Sequence, residues 1–268
     1  MTKKLFVFLF LLWFVSGCQS KQTTPEAAPV FHMLWIGDDS LNTSRLDMQT
    51  AIMLSEGGLK EAPINMQILS DSTYTLASGN MPTQVKKWIS EHPVDLVVLQ
   101  AFSVGQVTEE ALFQTYGADW INYFESQNLD IVIYYPWRQL YQDEEVYQNM
   151  VDQVLELAWA QNVTIVPLGD VWRLLSERNP QINLLETDLV HPNAAGVYLN
   201  GVVFYSVFTG KSAINHPVKL SIGFDQPDTI ILLDEETIQA IQEIAWLVIQ
   251  TYQSQGEFSV FHELNFAK

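Results

Sequence analysis

Five apolar runs recur along this chain, at residues 31–36, 64–69, 94–99, 129–134 and 163–167. Each is short and rich in Val, Ile or aromatic residues, the composition of strands buried on both faces. Between them lie longer stretches whose apolar residues return at helical spacing, at 44–56, 82–91, 108–127 and 144–160. A chain that alternates strand and helix in this way has few ways to close. Each helix must carry the chain back along the sheet, which makes the strands parallel and the crossovers right-handed. The expectation is an α/β protein: a parallel sheet of about five strands with helices on both faces. Thr108-Glu109-Glu110 opens the third helix with a capping hydroxyl and two acids in the first turn. A last amphipathic segment, 234–252, puts Ile238, Ile241, Ala245, Val248 and Tyr252 on one face and predicts a closing helix packed on the domain.

Composition narrows the function classes. The chain has 268 residues, of which 48% are hydrophobic, enough for a core and incompatible with intrinsic disorder. It carries 31 Asp+Glu against 13 Lys+Arg, a formal charge of −18, which repels nucleic-acid phosphates. There is no G-x-G-x-x-G and no P-loop, so nothing points to a dinucleotide or nucleoside triphosphate. The single cysteine excludes an intramolecular disulfide and any multi-thiolate centre. His32, His92, His216 and His262 are scattered without an i,i+4 pair, so neither a metal nor another cofactor is expected.

The cysteine lies near the N-terminus. Lys3 and Lys4 precede eleven apolar residues from Leu5 to Val15, too few for the roughly 20 that span a bilayer. A basic start followed by a short apolar core reads as a secretory signal. It ends Val15-Ser16-Gly17-Cys18, which resembles the bacterial lipobox, in which the cysteine is diacylated, with fatty-acyl chains such as palmitate, and becomes the mature N-terminus. Gln19 follows Cys18, and that sorting pattern implies the outer membrane. The expected organisation is a signal peptide at 1–17, a flexible tether at 18–29 with Pro25 and Pro29, and one domain at 30–268. The membrane is met only through the lipid.

In a parallel α/β sheet, function gathers at the carboxyl ends of the strands. Here the first run is followed by Gly37-Asp38-Asp39-Ser40-Leu41 and the second, further on, by Ala77-Ser78-Gly79-Asn80. The third ends in Leu99-Gln100, and the fourth leads to Pro136-Trp137-Arg138. Asp188-Leu189-Val190-His191-Pro192 comes later, with Pro192 suited to the first turn of a helix and Gly196 and Gly201 allowing close packing. Asp188 is near enough to bond one ring nitrogen of His191 and leave the other as a base. Tyr134, Tyr135, Trp137 and Tyr141 are core aromatics or a platform for a sugar ring, and Arg138 holds either a substrate or an acid.

Taken together, these segments resemble the SGNH/GDSL hydrolase superfamily, esterases and acyl hydrolases on a three-layer, flavodoxin-like fold. The third block, Asp95-Leu96-Val97-Val98-Leu99-Gln100, looks like the subgroup with V-V-L-Q in place of G-x-N-D. The stretch from Asp188 to Ser212 resembles that subgroup throughout. The resemblance implies Ser40 as nucleophile, Asp188 and His191 as its partners, and Gly79 and Gln100 as oxyanion donors beside the Ser40 N–H. The substrate it implies is a carboxylic ester, either a small molecule or an acetylated glycan.

The first block departs from the pattern. Counted from Gly37, the nucleophile position holds Asp39, with Ser40 one step late. Either the strand end has gained a residue and Ser40 attacks, or the nucleophile is lost, or the Asp39 carboxylate itself attacks. Gln100 also makes the second donor longer than the usual asparagine. Two readings follow: a lipid-anchored serine esterase of the envelope, and a catalytically silent lipoprotein of the same fold that binds a glycan or an envelope partner.

Overall fold

A computed structural model describes residues 30–56, 63–103, 110–216 and 233–254. The expected leader and tether, Cys18, the expected Thr108 cap and His262 lie outside the described residues. The five apolar runs form five strands: β1 (Phe31–Gly37), β2 (Ile64–Ser70), β3 (Leu96–Gln100), β4 (Asp130–Tyr134) and β5 (Thr164–Val166). All pair in parallel, in the order β2-β1-β3-β4-β5. The strand order reverses between β1 and β3, and at such a reversal the two outgoing loops part and leave a crevice at the carboxyl edge.

β3 is buried along its whole length, as a strand covered on both faces must be. β2 is only partly buried, with exposed positions alternating in its first half. It is an edge strand, and the expected two-sided burial fails there because helices cover the sheet's middle more fully than its rim.

The helices are α1 (Ser40–Ser44), α2 (Leu46–Glu56), α3 (Thr83–Glu91), α4 (Glu110–Ser126), α5 (Glu144–Gln161), α6 (Leu168–Arg178), α7 (Ala194–Thr209) and α8 (Glu235–Ser254). The first expected helix, 44–56, is α2, and a short α1 beginning at Ser40 precedes it, set off by the left-handed backbone of Arg45 (φ 51°). α6 had no counterpart among the expected segments. α2, α7, α8 and α6 pack with one another in one layer, while α4 and α5 pack together in another. Phe204 of α7 lies against Trp35 of β1 and Tyr134 of β4, with ring centroids 4.8 and 5.6 Å apart. α7 is therefore apolar nearly all round and buried from Ala195 to Phe208, the signature of a helix enclosed by protein. A Cβ on Gly201 would stand 2.5 Å from Gln49 Cγ of α2, so glycine sets how closely these helices approach.

Candidate active site

The chain leaves β1 at Gly37 and turns directly into α1, with Ser40 as the first helical residue. The turn is built by Asp38, whose buried carboxylate accepts the Ser40 N–H through Oδ1 at 2.8 Å. The Asp38 N–H in turn donates to Oε1 of Gln100 at 3.1 Å, across the β1/β3 crevice. Gln100 Oε1 also accepts the Tyr134 hydroxyl at 3.0 Å, while its Nε2 donates to the Phe102 carbonyl at 3.1 Å. Every polar atom of this buried amide is engaged. Gly37 makes room for it: a Cβ there would stand 2.3 Å from Gln100 Oε1.

The doubled aspartate is thereby resolved into two roles. Asp38 is an internal strut, whereas Asp39 occupies the cap position of α1, exposed and without a side-chain capping bond. Ser40 is half-buried, and its carbonyl accepts the hydroxyls of Thr43 and Ser44. Gln100, expected as an oxyanion donor, faces inward as a strut for the turn that carries Ser40. Tyr134 OH sits beside it, its pKa pushed well above the ordinary 10 by burial and then by the Asp38 charge.

Gly79 closes a 3-10 turn over Leu76–Ser78 at φ 114°, ψ −143°, a conformation reserved for glycine. Its carbonyl accepts the Trp120 indole N–H at 2.8 Å. Ala77 N–H donates to the Ala101 carbonyl, and Ala101 N–H to that of Tyr134. The loops following β2, β3 and β4 are thus tied side by side at the carboxyl edge.

The remaining pair comes from the loop before α7. Asp188 Oδ1 accepts two backbone N–H groups, from Val190 at 2.9 Å and His191 at 3.0 Å. Its Oδ2 accepts the Nδ1–H of the His191 ring at 2.6 Å. These bonds hold the carboxyl down at a pKa of about 2, the His191 ring contributing most, then the backbone of His191 and Val190. The spacing D-x-x-H is what lets one carboxylate serve both backbone and ring. Helix α7 starts later than expected, because Asn193 is its cap, accepting Ala195 and Gly196 N–H groups. Pro192 lies before the helix and bridges to Leu185.

Gln139, buried in the segment after β4, anchors this loop. With its amide oriented to satisfy its neighbours, it donates to the Leu189 carbonyl at 3.0 Å and accepts from Trp137 Nε1 at 3.2 Å. That contact places His191 at the same edge as the strand ends. Sequence reasoning singled out neither Gln139 nor Asp38 as supports; a lone polar residue beside buried aromatics was the available signal. Tyr134, Tyr135 and Trp137 are buried, Trp137 stacked on Trp172 at 4.2 Å. Of the four aromatics, only Tyr141 is exposed to meet a ligand. Arg138 donates to the Gln142 carbonyl at 2.7 Å and faces Glu144 at 4.0 Å.

No family model matches the sequence, and no curated protein is similar enough to be matched. Solved structures do match. A DUF4886 family protein from Bacteroides uniformis aligns over 87% of this chain and 100% of its own, at 13% identity and TM-score 0.58. A point variant of an acetyl-xylooligosaccharide esterase from Geobacillus stearothermophilus aligns over 67% and 94%, at 14% identity and TM-score 0.52. A proposed SGNH hydrolase from Slackia heliotrinireducens aligns over 66% and 98%, at 17% identity and TM-score 0.50. The chain has the SGNH hydrolase fold. Within that fold, Asp188 and His191 are hydrogen-bonded, and Gln100 is joined through Asp38 to Ser40. Among the described residues, neither Ser40 nor Asp39 hydrogen-bonds His191.

Proposed function

We propose that this protein is a serine ester hydrolase of the bacterial envelope, with Ser40 as nucleophile, His191 as base and Asp188 as its orienter. The observation that carries the reading is the Asp188–His191 couple, held at 2.6 Å through Nδ1 at the carboxyl edge of the sheet. Nδ1 is committed to the carboxylate, so Nε2 is the nitrogen that takes the Ser40 proton and returns it to the leaving alcohol. The imidazolium formed in between is stabilised by Asp188. The proposed reaction requires Ser40 to come within hydrogen-bond reach of His191 Nε2 when substrate binds, as catalytic hydrogen bonds commonly do. Gly79 at its glycine-only turn is the remaining candidate oxyanion donor. The substrate is a carboxylic ester, an acetylated glycan or a short acyl ester; the acetyl-xylooligosaccharide esterase of similar fold supports that class.

The location belongs to the same proposal. The Lys3-Lys4 start, the short apolar run and Gly17-Cys18-Gln19 support cleavage before Cys18, acylation there and anchoring in the outer membrane. Substitution Cys18→Ala should release the protein from membranes and abolish palmitate labelling.

One observation favours the silent, ligand-binding alternative: the Ser40 N–H, which an oxyanion hole needs, is already taken by the Asp38 carboxylate. Hydrolysis of p-nitrophenyl acetate by the full chain decides between them. Ser40→Ala and His191→Ala should each lower kcat/KM by at least about a thousandfold. Equal rates in the parent and both variants would remove the assignment, and loss in Asp39→Asn instead would move the nucleophile to Asp39.

A further inference from the structure

The edge around His191 carries a set of apolar side chains that the hydrolytic machinery does not use. Gln139 to Gln142 forms a tight turn, closed by the Gln142 N–H on the Gln139 carbonyl at 3.0 Å and braced by the Arg138 guanidinium on the Gln142 carbonyl. Its two central residues, Leu140 and Tyr141, are 66% and 72% exposed. The base of the turn is tied through Gln139 to the Leu189 carbonyl, and Leu189 and Val190 are themselves 52% and 38% exposed. Four large apolar residues thus stand on two loops cross-linked by one buried amide, immediately beside His191.

The arrangement is kept at a cost. Leu189 holds a left-handed backbone at φ 60°, which a branched side chain adopts only where its surroundings impose it. The Gln142 carboxamide is buried with both polar atoms unpaired. Fold stability gains nothing from showing Leu189 and Tyr141 to water.

We infer that this rim binds an uncharged alkyl or aryl group of the ester substrate. The inference rests on the hydrolase reading and names its substrate class. Four side chains fall well short of the roughly 800 Å² per partner that a stable protein interface buries. Glu186, Asp188, Asp143 and Glu144 adjoin the two loops in sequence and outnumber the Arg138 cation at the base of the turn, and the chain carries a charge of −18, so an anionic ligand or anionic lipid surface is repelled. An uncharged apolar group adjoining the reacting carbonyl meets both conditions. It can lie on the acyl or on the alcohol side of the ester, because both project from the same carbon.

Two substrate series separate those sides: ethyl alkanoates from acetate to hexanoate, and alkyl acetates from ethyl to hexyl, with acid release followed by titration on the full chain. In one series kcat/KM should rise about twofold per added methylene, against the fourfold of complete burial, since a rim covers one side of the alkyl group. The double variant Tyr141→Ser with Leu189→Asn tests the assignment, asparagine being at ease in the left-handed region. It should remove most of that rise, lowering the hexyl-to-ethyl ratio about tenfold. A parallel binding measurement uses N-hexyl acetamide and N-ethyl hexanamide, uncleaved mimics of the two series, with N-ethyl acetamide as the short control. Hydrolysis with no dependence on alkyl length, or a dependence the double variant leaves intact, overturns the rim while the hydrolase stands. So does faster cleavage of an acetylated sugar without any length dependence. If no ester is cleaved but binding of one long amide still requires the rim, the hydrolase falls and the apolar site stands. If neither long amide binds better than the short control, the rim falls with it.

Discussion

One carboxylate of Asp188 grips His191 twice, at the ring Nδ1 at 2.6 Å and at the backbone N–H at 3.0 Å. The geometry predicts an acid-resistant pair. The Asp188 pKa is lowered from 3.8 to about 2, so its contribution to the folded turn is complete above pH 4 and is lost as pH falls through about 2. Carboxyl carbon NMR should place the Asp188 midpoint near 2; an ordinary midpoint near 4 would contradict the observed bonding. Asp188→Asn should lower kcat/KM by roughly a hundred- to ten-thousandfold, because an amide no longer fixes the imidazole tautomer.

Gln100→Leu tests the strut. It leaves the Asp38 N–H, the Tyr134 hydroxyl and the Phe102 carbonyl without their partner in a buried setting. Each orphaned group costs about 1–3 kcal/mol, less what relaxation recovers. A loss of about 3–5 kcal/mol in urea unfolding is expected, along with loss of activity. An unchanged midpoint would mean that the amide is dispensable to the turn.

Gly79→Ala should destabilise by roughly 1–3 kcal/mol through the backbone alone. The nearest atom to an added Cβ is Tyr116 Cε2 at 3.8 Å, so there is no clash to relieve. Thermal unfolding would register the cost, and a second-site change at Tyr116 should not restore it.

Alkaline solution should unfold the protein sharply. Of the 10 tyrosines, Tyr134, Tyr135, Tyr147, Tyr198 and Tyr252 have pKa values raised above the ordinary 10, in each case chiefly by burial. Tyr135 and Tyr252 also share the Asp170 carboxylate, at 3.0 and 2.6 Å. Their raised values help the fold below pH 10. Above it the unfolded chain ionises first, and stability falls by about 1.4 kcal/mol per pH unit for each such phenol. Phenolate absorbance should therefore show these tyrosines ionising together with the loss of helix signal. Tyr252→Phe should loosen the end of α8 by about 1.5–3 kcal/mol, the worth of a hydrogen bond to a charged group.

The sheet was legible in the sequence because runs such as Leu96–Gln100 are buried on both faces and tolerate only apolar residues. Boundaries slipped where local chemistry overrides periodicity: Asn193 caps α7 after Pro192, and Arg45 divides α1 from α2. α6 begins directly after β5, with only Pro167 between, so no turn of polar residues announced it. The D-x-x-H pair could be read because its geometry is local, four residues folding onto one carboxylate. The Gln100–Asp38 link could not, because residue spacing says nothing about which way a buried amide will turn. Tyr134 and Trp137 were left open between core and ligand platform for a similar reason, since an aromatic at the strand end reads the same whether it faces the cleft or the core, and both proved to be core.

Gly37 and Gln100 are 63 positions apart in the chain, yet they occupy one shared volume. The side chain that either position can carry therefore depends on the other. A lineage that acquires a side chain at 37 must shorten residue 100 in the same step or lose the turn carrying Ser40. A lineage that shortens residue 100 first gains room at 37 but gives up the bonds that Gln100 makes to Asp38, Tyr134 and Phe102. Either change alone thus carries a penalty, and in related chains positions 37 and 100 should change together.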